Sequence, residues 1–158
     1  MDKTIALTQA KFNELQEKLR LSETVKRTEI SEAIKTAKEF GDLSENAEYT
    51  AAKEAQEKLE IEIAKLTEIL MKAFPIDTSM LSTSVVSIGN FVTVHDSFFD
   101  EEATYQIVSS VEACSAEQKI SDISLIGSAL INKKAGEKVT VTLPNGADTE
   151  LKILSISK

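Results

Sequence analysis

The sequence predicts an α+β protein: a long antiparallel α-helical coiled-coil hairpin followed by a small α+β domain. Three observations indicate this class. Two stretches of helical periodicity flank a break at Gly41, Pro75 follows the second stretch, and alternation of apolar and polar residues begins near residue 90. We therefore divide the 158 residues into a hairpin over 1–75 with its tip at 41–48, a linker over 76–88 and a second domain over 89–158.

The first helix is predicted to run from Thr8, a suitable N-cap, to about Phe40, because no proline or glycine interrupts residues 4–40. Its inward face steps by three or four residues, with two polar positions and one irregular step in the middle. The members of this face are Phe12, Leu15, Leu19, Ser22, Lys26, Ile30, Ala33, Ala37 and Phe40.

The second helix has a more regular apolar stripe, and Pro75 ends it. The stripe contains Tyr49, Ala52, Ala55, Leu59, Ile63, Leu66, Leu70 and Ala73. Two amphipathic helices of similar length with a short connection are expected to lie antiparallel, each covering the stripe of the other.

The second domain is predicted from alternating segments at 90–95, 103–110, 137–143 and 148–157. The last two segments flank the turn sequence PNG (144–146), which indicates a hairpin. Between the second and third segments, residues 124–133 are expected to contain one short helix. His95 is expected to be a strand residue and no ligand, and the lone Cys114 to be a packing residue that cannot form an internal disulfide.

The net charge of −8 argues against a protein that binds nucleic acid through a broad basic face. The sequence has no run of about 18 apolar residues, so no membrane-spanning helix is expected. The N-terminal segment lacks the apolar core of a signal peptide, which favours a cytoplasmic protein.

The break between the helices carries acidic residues at the far end of the hairpin, where there is no core to join. One interpretation is structural: Asp42 and Glu45 form a capping box at the start of the second helix. A second is chemical, because Mg²⁺ prefers hard oxygen ligands and often takes only one or two protein carboxylates. An isolated tip would hold such a metal weakly, so the remaining ligands would belong to another protein, where the metal would activate a water.

The tip sequence GDLSENAEYTAAKE (41–54), preceded by IKTAKEF, resembles the signature of the Gre family of bacterial transcript-cleavage factors. The acidic balance is closer to its GreA-like branch than to the more basic GreB branch. The similarity extends from TQAKFNELQEKL (8–19) to ISDISLIGSALINKKAGEKVTVTLPNG (120–146).

The resemblance implies that the C-terminal domain has an FKBP-like fold and docks on bacterial RNA polymerase, while the coiled coil enters the secondary channel. It also implies that Asp42 and Glu45 help to hold a catalytic Mg²⁺ jointly with the polymerase. The polymerase then cleaves the nascent RNA 3′ segment of a backtracked complex, and the factor has no nuclease activity of its own. The free protein is expected to be a monomer without a membrane partner.

Other tip residues follow from the same resemblance. Lys38 and Lys53 match a basic patch that contacts the extruded RNA, with Lys35 one turn away. The alternative is that they are ordinary solvated lysines paired with glutamates. The residues expected to support the tip are Gly41, Asn46, Glu48 and Tyr49, the last by packing.

The second half departs from the family pattern in three places, one of which is CSAEQ (114–118) in place of a Gly-containing turn. Ser124-Leu125 stands where the family usually has Ser-Pro, and Asn132-Lys133 where it has Gly-Lys. We expect the docking surface within 120–134 without assigning it to individual residues.

Three alternative functions remain open at this stage. A channel-binding regulator of the same shape could inhibit the polymerase without promoting cleavage. A peptidyl-prolyl isomerase is disfavoured, because such enzymes need a deep aromatic pocket and the chain has no Trp, while FFDEE (98–102) has the composition of a loop. A purely structural coiled-coil module would tolerate loss of Asp42 or Glu45 without penalty.

Overall fold

The computed structural model describes residues 2–41 and 45–158, which group into two compact units. The first unit consists mainly of Phe12–Ala73, and the second combines Thr4–Lys11 with Phe74–Lys158. Among the described residues, no helix has the length and apolar character needed to cross a membrane. Asp42 lies outside the described residues.

The first unit is a helical hairpin, as predicted. It contains α1 (Gln9–Leu21), α2 (Arg27–Lys38) and α3 (Ala47–Lys72). The predicted N-cap of α1 is confirmed, because Thr8 Oγ1 accepts a hydrogen bond from the Lys11 N–H at 3.3 Å. All eight members of the predicted α3 stripe are buried or half-buried.

A π-helical segment, Ser22–Lys26, joins α1 to α2 and accounts for the irregular step in the first stripe. A π-helical turn contains an extra residue, so the inward face is displaced along the sequence after it. Ser22 is fully buried and Ile30 half-buried, as predicted. The prediction that Ala33 faces inward was wrong: Ala33 is exposed, and the half-buried Ile34 takes the inward position. The same prediction for Phe40 was also wrong, since 69% of its surface is exposed beyond the end of α2.

Ion pairs cross the hairpin on its solvated side. Arg27 donates to both carboxylate oxygens of Glu60 at 2.9 and 2.8 Å, and Lys18 lies 2.8 Å from Glu62. The Arg27 hydrogen bonds hold the pKa of Glu60 below its usual value. Because these pairs are exposed, they favour the helix register but contribute little to stability.

The second unit contains a five-stranded mixed sheet. Its strands are β3 (Phe91–Asp96), β4 (Glu101–Val108), β5 (Lys119–Ser121), β6 (Lys138–Thr142) and β7 (Asp148–Ser157). Their order across the sheet is β5-β4-β3-β7-β6. β4 and β5 are parallel, and the other neighbours are antiparallel. Two further strands, β1 (Ile5–Thr8) and β2 (Ala73–Ile76), form a separate two-stranded sheet.

One short helix, α4 (Leu125–Leu130), lies within the predicted 124–133 segment and packs on the core of the sheet. The buried core consists of Val86, Val92, Val94, Ile107, Leu130, Val139, Val141, Leu151 and Ile153. The four alternating segments are strands, and the PNG turn is confirmed by Gly146 with φ of +84°. The short strands β1, β2 and β5 were not predicted.

A buried carboxylate holds the N-terminal strand within the second unit. Glu112 accepts hydrogen bonds from the Thr8 N–H at 3.0 Å and from Thr8 Oγ1, and Lys119 Nζ lies 3.8 Å away. The Glu112 side chain is 2% exposed. A buried charge of this kind is tolerated because its oxygens are hydrogen-bonded and a cation is near.

We expect Glu112→Ala to lower the free energy of unfolding by about 3 kcal/mol, because it removes a buried, hydrogen-bonded carboxylate and leaves both part-buried Thr8 donors without their acceptor. The matched control is Glu117→Ala, since Glu117 also pairs with Lys119, at 2.9 Å, but is 61% exposed. Its loss should change stability by less than about 1 kcal/mol. Urea unfolding of the two variants measures the difference, and equal losses would contradict the assignment of Glu112 as the anchor of Thr8.

Candidate functional site

The end of the hairpin is organised by Asn46, which caps α3. Asn46 Oδ1 accepts a hydrogen bond from the Tyr49 N–H at 3.0 Å, and its backbone is extended (φ −86°) as an N-cap requires. Its amide nitrogen also donates to the carbonyl of Ala37 in the last turn of α2, at 2.6 Å. One side chain therefore satisfies an orphan donor of α3 and adds a second hydrogen bond to a carbonyl at the end of α2, which also accepts from the Phe40 N–H at 3.2 Å.

This observation corrects the capping-box prediction. The cap of α3 is Asn46, not Asp42, and α3 begins at Ala47, so Glu45 precedes the cap instead of occupying the third helical position. An amide can accept and donate together, whereas an ionised carboxylate only accepts, which is why Asn suits a position facing both an N–H and a carbonyl. The start of α3 therefore does not require the acidic residues.

The chain leaves α2 through Gly41, whose φ of +109° confirms the predicted positive-φ turn. Glu45 and Glu48 are exposed on the other side of the break. Phe40, Glu45, Asn46 and Glu48 line a shallow depression there. Tyr49 is half-buried at the start of the α3 stripe, in agreement with its predicted packing role.

The described residues at the hairpin end include one of the two predicted metal ligands, Glu45. Within 2–41 and 45–158, no group of three His, Cys, Asp or Glu side chains could hold a metal ion. The exposed Glu45 carboxylate is nevertheless the hard oxygen donor that Mg²⁺ takes, and the cap leaves it available to a ligand outside the hairpin. Its predicted companion, Asp42, lies outside the described residues, so the pairing stays a prediction.

The three lysines of the predicted basic patch lie near the same end of the hairpin. Lys35 and Lys38 are exposed in the last turn of α2, and the exposed Lys53 lies in the second turn of α3. Lys53 Nζ donates to Gln56 Oε1 at 2.8 Å, within its own helix. Cations are favoured at the C-terminal end of α2 by its dipole, so a structural reason for Lys35 and Lys38 exists beside the functional one.

A second candidate surface lies at α4, inside the predicted docking region. Ile123 is 75% exposed and Leu125 57% exposed. Leu125, but not Ile123, lines an apolar depression, whose lining also includes Cys114, Ile120, Ile126, Leu143 and Pro144. Cys114 is exposed in this depression, so the expectation that it is a packing residue was wrong. Sequence reasoning identified the region, whereas only the fold shows which of its apolar side chains face outward.

The loop before α4 is held in a fixed conformation. Ser124 caps α4 by accepting from the Gly127 N–H at 3.0 Å and donates to the Ser121 carbonyl at 2.6 Å. Leu125 is the first helical residue, a position where proline is favoured, so Ser-Leu and Ser-Pro suit the same turn. Asn132 has a φ of +64°, a conformation that asparagine tolerates where a family member has glycine. The departures at Ser124-Leu125 and Asn132-Lys133 are therefore compatible with the fold.

The family model described as the N-terminal domain of transcription elongation factors GreA and GreB matches residues 5–74, and the corresponding C-terminal model matches residues 81–158. The chain belongs to the GreA/GreB family of transcription elongation factors. Together the two matches cover both units, which confirms the family resemblance inferred from the tip sequence.

Individual family members are similar over the full length. The transcription elongation factor GreA of Clostridium acetobutylicum is 46% identical, with 98% of each chain covered, and that of Thermoanaerobacter pseudethanolicus is 46% identical over 100% of both. A solved structure, GreA factor homolog 1 (Gfh1) of Thermus thermophilus, is 28% identical over 98% of this chain and 99% of its own. The TM-score between the two structures is 0.42.

The dual role of Asn46 leads to a prediction about the hairpin end. Asn46→Ala should lower the free energy of unfolding by about 1–2 kcal/mol, because the Tyr49 N–H loses its cap and the Ala37 carbonyl loses a donor. Asn46→Ser keeps a cap acceptor and removes the amide donor, so about half of that loss is expected. Thermal unfolding checks both, and an Asn46→Ser variant as unstable as Asn46→Ala would show that the cap contributes nothing.

Proposed function

We propose that this GreA/GreB family member enters the secondary channel of bacterial RNA polymerase and stimulates the polymerase's own cleavage of backtracked nascent RNA. The observation that carries the proposal is the geometry at Asn46. Because Asn46 caps α3, the carboxylate of Glu45 is left exposed at the end of a helical hairpin, and within 2–41 and 45–158 no hydrogen bond or ion pair ties it into the fold. The full-length family membership supplies the partner.

In this mechanism Asp42 and Glu45 complete an Mg²⁺ site whose remaining ligands belong to the polymerase. Bound Mg²⁺ supplies Lewis-acid stabilisation of charge on a reacting phosphate and a lowered pKa for a water. Glu45 presents an exposed oxygen as ligand and hydrogen-bond acceptor that orients water, and the Asn46 clamp between α2 and α3 fixes the backbone that carries it. A ligand held in the geometry that the reaction needs contributes more to the cleavage rate than a ligand that merely makes contact.

The lysines at the hairpin end would contact the RNA. Lys35, Lys38 and Lys53 are exposed cations that can hold the phosphates of the extruded RNA 3′ segment as point charges. The net charge of −8 confines any such attraction to a local patch, so the RNA contact is expected to be short and sensitive to salt.

Docking is assigned to the second unit. We propose that the exposed Ile123 and Leu125, with the apolar depression beside them, contact the polymerase at the mouth of the channel. The factor itself is not a nuclease, acts as a monomer and works in the cytoplasm with its partner. An inhibitory regulator of the same shape is the second candidate, and the exposed Glu45 disfavours it because inhibition by channel occupancy needs no carboxylate.

The experiment is a cleavage assay on a backtracked elongation complex assembled with a labelled RNA 3′ end and bacterial RNA polymerase. Addition of the protein should release short 3′ fragments and leave an RNA that can be extended. The protein incubated with the same RNA alone should release nothing. Polymerase binding without shortening of the RNA would favour the inhibitory regulator and overturn the cleavage function.

A further inference from the structure

The turn between β3 and β4 exposes two aromatic side chains side by side. Phe98 is 53% exposed and Phe99 62% exposed, and their rings meet edge to face with centroids 4.9 Å apart. Exposed apolar patches on a protein mark sites of interaction. Aromatic side chains are among those that contribute most binding free energy to protein–protein interfaces. These two residues do not form the aromatic pocket that a peptidyl-prolyl isomerase would need, because they lie exposed on a turn.

The turn is held in place by hydrogen bonds, so the aromatic pair is preorganised. Asp96 accepts from the backbone N–H groups of Phe98 at 2.9 Å and Phe99 at 3.4 Å, and from Thr149 Oγ1 of β7. Partial burial opposes ionisation of Asp96, but the three hydrogen bonds hold its pKa below the usual value, so it accepts as a carboxylate at neutral pH. Preorganised side chains lose less conformational entropy when they bind.

A second contact fixes the far side of the turn. His95 Nε2 lies 3.0 Å from Asp100 Oδ1, and Asp100 itself has a φ of +52°. His95 is thus a strand residue, as predicted, with a partner that sequence reasoning did not identify. The backbone of Ser97 is tied to β7 as well, since its N–H donates to the Glu150 carbonyl at 3.0 Å.

The charges around the aromatic pair define what can bind it. Residues 96–102 contain four acids, Asp96, Asp100, Glu101 and Glu102, and no Lys or Arg. Asp96 is engaged within the turn, so the exposed acids are the other three, which outnumber the one exposed cation opposite His95, Lys152 of β7. A phosphate backbone would be repelled by this rim. A second copy of the chain would bring two such rims together against a net charge of −8 on each. The complementary surface is an apolar protein pocket rimmed by lysine and arginine.

The pair is also separate from the apolar depression beside α4. Phe98 and Phe99 precede β4, whereas β5 joins β4 only from Gln106 onward. Glu101 and Gln106 are five residues apart on the strand, a distance of about 16 Å. Contact through the aromatic pair would therefore be additional to contact through Ile123 and Leu125.

We propose that Phe98 and Phe99 form a second docking point for bacterial RNA polymerase, inserting into an apolar pocket whose rim is basic. This inference rests on the proposed function for the identity of the partner. The edge-to-face pair supplies apolar anchoring, and the acids of 96–102 supply attraction to the rim. Anchoring chiefly slows dissociation, whereas the charged rim chiefly speeds association.

The test measures the rates at which full-length variants associate with, and dissociate from, core RNA polymerase immobilised on a sensor surface. Phe98→Ser/Phe99→Ser should bind about tenfold more weakly or worse, mainly through faster dissociation. Glu101→Lys/Glu102→Lys should associate more slowly and lose part of the salt dependence of the association rate. Met80→Ser is the control, since Met80 is an 81% exposed apolar residue outside the turn, and it should bind like wild type.

The result that overturns the inference is a Phe98→Ser/Phe99→Ser variant that binds polymerase like Met80→Ser while wild type binds normally. A wild-type dimer in sedimentation that this double variant abolishes would overturn it too, because the occupant would then be a second copy. At saturating concentration the double variant should still reach the wild-type extent of RNA cleavage. Wild-type binding without any cleavage would overturn the proposed function and leave the docking inference standing.

Discussion

Glu45→Ala is expected to abolish stimulated cleavage of backtracked RNA while polymerase binding survives. The rate should fall by about 100-fold or more, because loss of a metal-ligating carboxylate removes several kcal/mol of transition-state stabilisation. The fold should be unaffected, since Asn46, not Glu45, caps α3 and Glu45 is exposed. Asp42→Ala is predicted to have the same effect through the same shared Mg²⁺.

The control for these variants is Glu54→Ala, which removes the same charge from an exposed position on α3 further from the tip. It should cleave at the wild-type rate. Single-turnover cleavage over a range of Mg²⁺ concentrations provides a second measurement: Glu45→Ala should require more Mg²⁺ than wild type for any residual cleavage. Full activity of Glu45→Ala would contradict the metal role, and loss of binding along with cleavage would point instead to a folding defect.

Ile123→Ser/Leu125→Ser should weaken binding to polymerase by about 30-fold or more, because two exposed apolar side chains at the centre of a contact can each contribute over 1 kcal/mol. Ser124 and its cap of α4 remain in this variant, so the local fold is expected to persist. High concentrations of the variant should restore the wild-type maximal cleavage rate, since the hairpin end is intact.

This pattern distinguishes docking from chemistry. Variants of the second unit should change the concentration needed for half-maximal cleavage, whereas variants of the tip should change the maximal rate. A titration of cleavage against protein concentration, with Met80→Ser as the control for loss of an exposed apolar residue, measures both quantities at once. Unchanged half-maximal concentration for Ile123→Ser/Leu125→Ser would place the docking surface elsewhere.

The organisation of the second half also bears on the isomerase alternative. The chain matches transcription elongation factor models over both units, and Phe98 and Phe99 point outward from a turn instead of lining a pocket. The apolar depression beside α4 is lined by aliphatic residues, Cys114, three serines and Lys119, and by no aromatic residue. A deep aromatic pocket of the kind that binds proline is therefore not the feature that this surface presents.

Local patterns in the sequence were sufficient to predict the helical hairpin, the four longest strands, the Thr8 cap and the turn at Gly146, because periodicity and turn chemistry act within a few residues of one another. The family signature in the tip sequence likewise needed no structure. Other features depended on contacts between distant residues. The hydrogen bond from the Asn46 amide to the Ala37 carbonyl joins residues nine apart in the sequence, and burial in the folded hairpin, not spacing, decided between Ala33 and Ile34.

Tertiary structure alone decided what the short and exposed segments do. The strands β1, β2 and β5 have three or four residues each and are defined by the partners with which they pair, so no local pattern could predict them. Burial of Glu112 against Thr8 and exposure of Ile123, Leu125, Phe98 and Phe99 depend on which faces the folded sheet covers. Sequence determined the elements and the family of this protein, whereas burial, a property of the whole fold, determined which of its side chains are free to meet a partner.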